Sequence, residues 1–205
     1  MAIAPGSTIV DYLVPTKASR SANLLRDALL VIGASVLMAL SARASINLPF
    51  TPVPITLQTL VVMLAAAALG GRRGALAMLL YLAEGAAGLP VFAKGGGLLY
   101  FAGPTAGYLI SYPFAAFVVG WLCERGLDRS LLTSILAMLP GTLIIYVVGV
   151  AWLAVLLHLT LFQALVAGMF PFIPGDLIKL VIAALLLPAA WKIVRAARPD
   201  SQNHS

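Results

Sequence analysis

Charge is scarce in this chain. Only 10% of its 205 residues are Asp, Glu, Lys or Arg, against roughly 25% in an ordinary soluble domain. With 61% of the residues hydrophobic, the apolar surface exceeds what one core of this size can hide, so the solvent on the outside has to be lipid. Cysteine is nearly absent as well. Cys123 stands alone, which excludes an internal disulfide and a paired thiol site. The two histidines, His158 and His204, are isolated, so no metal cluster is expected and no cofactor either. No stretch fits the phosphate-cradling G-x-x-x-x-G-K-[ST] pattern, since Gly95–Gly97 lacks the following Lys and Ser/Thr. The chain therefore carries no nucleotide-driven motor of its own. The formal net charge of +6 comes from basic residues at the ends of apolar runs. Nucleic acid would need one continuous basic face, so it is excluded as a partner.

What remains is a series of long apolar runs. Residues 1–26 read as a cytoplasmic lead-in, 27–195 as the membrane domain and 196–205 as a polar tail. The first run spans Ala28 to Ala42, between Asp27 and Arg43. The second extends from about Pro54 to Leu69, and the third from Gly74 to about Phe92, interrupted by Glu84. A Gly-rich connection, Lys94 to Gly97, leads to a fourth run from Thr105 to Cys123. Leu131 to Phe170 holds no charged residue at all, about twice what one crossing needs. It reads as a fifth crossing to about Val150, followed by an apolar segment at the interface. The sixth begins near Pro174, where proline suits a first helical turn, and ends near Trp191-Lys192.

Basic residues test that count. With the N-terminus inside, the inner segments hold Lys17, Arg20, Arg26, Arg72, Arg73, Arg125, Arg129, Lys192, Arg195 and Arg198, against Arg43 and Lys94 outside. Ten against two is the asymmetry of a multi-pass protein whose cytoplasmic loops are positive. The expected fold class is an all-α integral membrane protein, a six-transmembrane-helix bundle with both termini cytoplasmic. A cleaved signal peptide ending at Ala42-Arg43-Ala44 fits less well, because five crossings would spoil the asymmetry.

Three ionisable groups remain inside apolar runs: Glu84, Asp176 and Lys179. A charge at the bilayer centre costs about 2.5–3.5 kcal/mol even on the lenient insertion scale, so such groups face a cavity or one another. Asp176 and Lys179 share a helix face at i, i+3. They are either a capping ion pair or the wall of a pocket near the outer leaflet. Glu84, near the middle of its run, is either a helix-to-helix hydrogen-bonding group or a pocket residue. Gln58 follows the proline-rich segment Pro49 to Pro54 and can both donate and accept. Gly103 and Gly107 suit close helix packing, and Tyr108 either stacks on a ligand or sits in the interfacial aromatic belt. In the first run Ser35 and Ala39 form a small-xxx-small pair, a candidate docking face.

Four blocks together resemble a known family. Thr51-Pro52-Val53-Pro54-Ile55-Thr56-Leu57-Gln58, Gly88-Leu89-Pro90-Val91-Phe92-Ala93, Gly103-Pro104-Thr105-Ala106-Gly107-Tyr108 and Pro171-Phe172-Ile173-Pro174-Gly175-Asp176-Leu177-Ile178-Lys179 are similar, in this order, to the BioY family of biotin transporters. The resemblance implies the S component of an energy-coupling factor (ECF) transporter in a prokaryotic cytoplasmic membrane. It would have six membrane helices and bind biotin from outside, with a membrane-embedded T component and two ABC-type ATPase subunits as partners. It also implies pocket roles for Gln58, Asp176 and Lys179. Lys94 and Ala106 depart from the family pattern, where glycine is more usual. An S component for another vitamin and a facilitator independent of ATPases stay open. An intramembrane enzyme lacks a nucleophile–base pair, and a purely structural subunit leaves the buried charges unexplained.

Overall fold

A computed structural model describes residues 8–15 and 19–196 of the chain. Lys17, Arg198 and all but the first residue of the 196–205 tail lie outside the described residues. The protein is mostly helical. Among the described residues there are eight α-helices: α1 (Ile9–Leu13), α2 (Arg20–Arg43), α3 (Gln58–Leu69), α4 (Gly71–Ala86), α5 (Ala106–Leu122), α6 (Leu131–Leu156), α7 (Leu161–Gly168) and α8 (Ile173–Ala196). Two short strands, β1 (Ser45–Ile46) and β2 (Ile55–Thr56), pair antiparallel with Ser45 opposite Thr56. Four helical segments are long and apolar enough to cross a membrane: Arg20–Arg43, Ala106–Leu127, Leu131–Leu156 and Ile173–Val194.

The helix ends differ from the apolar runs for local reasons. α2 begins at Arg20, after Ser19, rather than at Ala28. α3 starts only at Gln58, because Pro52 and Pro54 lack amide donors and residues 55–56 are spent in β2. α4 stops at Ala86, ahead of Gly88 and Pro90, so Glu84 lies two residues from a helix end and not mid-run. α6 runs through Pro140 to Leu156, beyond the expected end at Val150, and the rest of the charge-free run contains α7. At about 1.5 Å per residue, the 12 residues of α3 and 16 of α4 fall short of a ~30 Å hydrocarbon core.

Successive long helices run in alternating directions. One end of the bundle carries the β1–β2 hairpin, and the other carries Arg72, Arg73, Arg125 and Arg129. Close approach is built in at glycines. A Cβ on Gly120 of α5 would lie 2.4 Å from backbone atoms of Gly70 and Gly71, where α3 turns into α4 with φ +88° at Gly70. A Cβ on Gly149 of α6 would lie 2.2 Å from the Tyr108 ring. At the arginine end, Asp11 of α1 accepts from Arg26 at 2.8 Å and Arg73 at 2.9 Å, and Arg73 also pairs with Asp27 at 3.0 Å. α1 is thus clamped to α2 and α4, with the Thr8 side chain against the Gly70 turn. Burial pushes the Asp11 carboxyl up, but hydrogen bonds from Arg26, Thr8 and Arg73 outweigh it and hold the pKa at about 2.

Candidate functional site

A cavity near the hairpin end takes in about 570 Å³ of empty space, its open mouth included. Proline-rich chain supplies one wall through Val53, Pro54 and Thr56, and α3 supplies Gln58 and Thr59. Tyr108 and Tyr112 come from α5, Tyr146 from α6, and Asp176 and Lys179 from the first turns of α8. Irregular backbone at this depth is tolerated where it packs on protein or lines a cavity. Here Thr51 Oγ1 donates to the Ala167 carbonyl of α7 at 2.5 Å and accepts from Val53 N–H at 3.2 Å. Residues 51–53 are thereby fixed over α7.

The polar centre is a closed lattice. Lys179 Nζ donates to Asp176 Oδ1 (2.8 Å), Thr59 Oγ1 (3.1 Å) and the Thr56 carbonyl (2.6 Å). Thr59 Oγ1 donates to Asp176 Oδ1 at 3.1 Å, and Tyr146 OH donates to Asp176 Oδ2 at 2.5 Å. The Asp176 and Lys179 side chains are only 15% and 12% exposed. A buried pair of this sort offsets its desolvation only because every remaining charge-bearing atom is also hydrogen-bonded. Chemically, the three Lys179 protons are all engaged within the lattice, which leaves a carboxylate acceptor beside tyrosine rings and aliphatic walls and suits a small, mostly apolar solute with one amide-like N–H group.

The residues singled out in the sequence divide here. Gln58, Tyr108, Asp176 and Lys179 all line the cavity. Gln58 is buried, with its Nε2 donating to Tyr81 OH at 2.8 Å, and Tyr81 OH donating on to the Val91 carbonyl. Tyr108 gives its hydroxyl to the Gly168 carbonyl at 2.7 Å and presents ring alone. Glu84 does not line the cavity. It accepts from Ser35 Oγ at 2.5 Å and ties α4 to α2. Ser35 is fully buried, so it cannot sit on an open docking face, whereas Ala39 is half-buried. Gly107 packs against Trp152, whose indole donates to the Gly103 carbonyl at 2.9 Å. Sequence reading missed Thr59, Tyr112 and Tyr146. Tyr146 had a signal: it lies mid-helix in a charge-free run, too deep for an interfacial belt.

Comparison with known proteins places this arrangement. The sequence model described as the BioY family matches residues 15–196. A protein of Rhizobium etli named biotin transporter BioY is 46% identical over 161 residues, covering 75% of this chain and 86% of that protein. A Rhodobacter capsulatus protein of the same name is 46% identical over 164 residues, again covering 75% and 86%. Among solved structures, the S component for biotin from an ECF-type ABC transporter superposes with a TM-score of 0.76 at 27% identity, covering 85% of this chain and 95% of that one.

Proposed function

The chain belongs to the BioY family, and on that premise we propose that it captures biotin outside the cell and passes it inward as the S component of an ECF-type transporter. The observation that carries this reading is the Asp176–Lys179–Tyr146–Thr59 lattice in the wall of the cavity at the hairpin end. Biotin matches it chemically. Its ureido ring presents N–H donors and a carbonyl, its thioether ring is apolar, and its tail ends in a carboxylate. The Asp176 carboxylate accepts a ureido N–H, a charge-assisted bond of the stronger kind. Tyr108, Tyr112 and Leu109 enclose the apolar ring.

In this reading the chain crosses the cytoplasmic membrane six times, with both termini and the arginine end inside. Arg20, Arg26, Arg72, Arg73, Arg125, Arg129 and Lys192 lie at one end of the helices and Arg43 and Lys94 at the other, which supports that orientation. The two short crossings are completed by the 45–57 and 87–105 segments above, while α1 lies at the arginine end beneath the Gly70 turn. The T component docks along α2, whose Leu25, Leu29, Ile32, Val36 and Leu40 are exposed, and two ABC-type ATPases complete the transporter. The deciding experiment is purification of the chain in detergent without added vitamin, followed by identification of what it retains. Biotin retained in preference to other vitamins is the expected result. Retention of a different vitamin, or of none after biotin is supplied, would sink the reading.

A further inference from the structure

Beneath the ligand cavity lies a second, smaller one that the proposed function leaves unused. It is a narrow cavity, about 320 Å³ with its open mouth included, and is bounded by Leu60, Met63, Thr142 and Leu180 together with Thr59, Ile145, Tyr146, Asp176 and Lys179. The last five residues also line the first cavity. Met63, Thr142 and Leu180 each sit four residues from Thr59, Tyr146 and Asp176, one turn or about 6 Å toward the arginine end on α3, α6 and α8. The hydrogen-bonded lattice is therefore a partition between an upper and a lower chamber. The lower one is mostly apolar, and its own hydroxyl, Thr142 Oγ1, is already spent on the Met138 carbonyl at 3.3 Å.

Donor accounting shows what Tyr146 does in that partition. A carboxylate oxygen accepts about two hydrogen bonds. Oδ1 of Asp176 already takes Thr59 and Lys179, and Oδ2 takes Tyr146. One acceptor site is left, on Oδ2. Tyr146 is the only member of the lattice contributed by α6. Its hydroxyl settles which Oδ2 lone pair faces the ligand, and its ring spans between the two chambers.

We propose that Tyr146 is both the floor of the ligand site and the positioning residue for Asp176: the ring stops an amide-like or cyclic-urea ligand at the upper chamber, and the hydroxyl leaves Asp176 one acceptor site for a single ligand N–H. The floor does not depend on the identity of the ligand, whereas the positioning role rests on the biotin reading above. The partition separates the ligand cavity from the apolar chamber below it.

The test uses the full chain in a Cys123→Ser background, which removes the lone buried thiol, with Leu180→Cys as a reporter that lines the lower chamber alone. A charged, membrane-impermeant thiosulfonate applied from outside intact cells should label this reporter slowly while Tyr146 is present. Tyr146→Ala should raise the labelling rate at least about ten-fold, and biotin should slow it again by plugging the upper chamber. Tyr146→Leu carries the same test if the alanine variant does not fold. Tyr146→Phe keeps the ring, so labelling should stay slow while biotin affinity falls about ten-fold, as for loss of one hydrogen bond to a charged group. Equal labelling with Tyr, Ala and Leu at 146 would overturn the floor. Unchanged affinity in Tyr146→Phe would overturn the positioning role. A parent chain that binds no biotin would defeat the functional reading while leaving the labelling comparison intact.

Discussion

Asp176 and Lys179 each rely on the other and on Thr59, so removing either leaves a buried partner without its counter-charge. Asp176→Asn and Lys179→Met should each weaken biotin binding about 10- to 100-fold, the range for loss of one or two charge-assisted bonds, as read by equilibrium binding to the purified chain. Membrane insertion should be unaffected, since apolar helices direct it. Glu84 belongs to a different argument. It is bound to Ser35 and lies outside the cavity, so Glu84→Ala should leave biotin affinity within about two-fold. The thermal midpoint in detergent should drop, as expected for an interhelical hydrogen bond worth about 0.6–2 kcal/mol in a membrane protein. A large affinity loss with an unchanged midpoint would return Glu84 to the ligand site. The sequence marked both groups by the same sign, a carboxylate in an apolar run. Only the three-dimensional positions of Ser35 and Thr59 tell the helix clamp from the proposed ligand group.

Among the elements, α5 is the one the others close around. Gly120 meets the α3–α4 turn at backbone distance, Gly107 takes the Trp152 side chain and the Tyr108 ring fills the notch at Gly149. Gly149→Leu should push α6 off α5 and move Tyr108 and Tyr146 together. Overpacking typically costs about 1–3 kcal/mol, so a lowered thermal midpoint together with weakened biotin binding is the expected pair of outcomes. The sequence displayed these glycines; of the Gly103–Gly107 pair, Gly107 packs closely on α6, whereas Gly103 precedes α5 and meets only the Tyr100 carbonyl. The sequence did not say which helix would come close. The apolar runs likewise located each long helix but overstated the second and third, because β-pairing at Ile55-Thr56 and the Gly88–Pro90 turn take residues that hydropathy alone assigns to a helix.

For the molecule as a whole, the arginine end and the hairpin end are held by different forces and should fail under different conditions. The cluster of Asp11, Arg26, Arg73 and Asp27 keeps α1 under the α3–α4 turn. Asp11 has its folded pKa lowered from 3.8 to about 2. Its contribution is therefore complete above about pH 4 and is lost as pH falls through 2. Hydrogen exchange of residues 9–13 should speed up over that window while α5 and α6 stay protected, and Asp11→Asn should show the faster exchange already at neutral pH. What the sequence determined by itself was the solvent: apolar runs must face lipid, and the cost of burying arginines and lysines in it keeps them at the ends of those runs. Tertiary structure decided which buried polar groups meet. Asp176 and Lys179 are neighbours on one helix in any fold, but Tyr146 lies 30 residues and Thr59 117 residues from Asp176 in the chain. Their hydrogen bonds exist only once α3, α6 and α8 pack around one cavity, and no periodicity along a single helix records that contact.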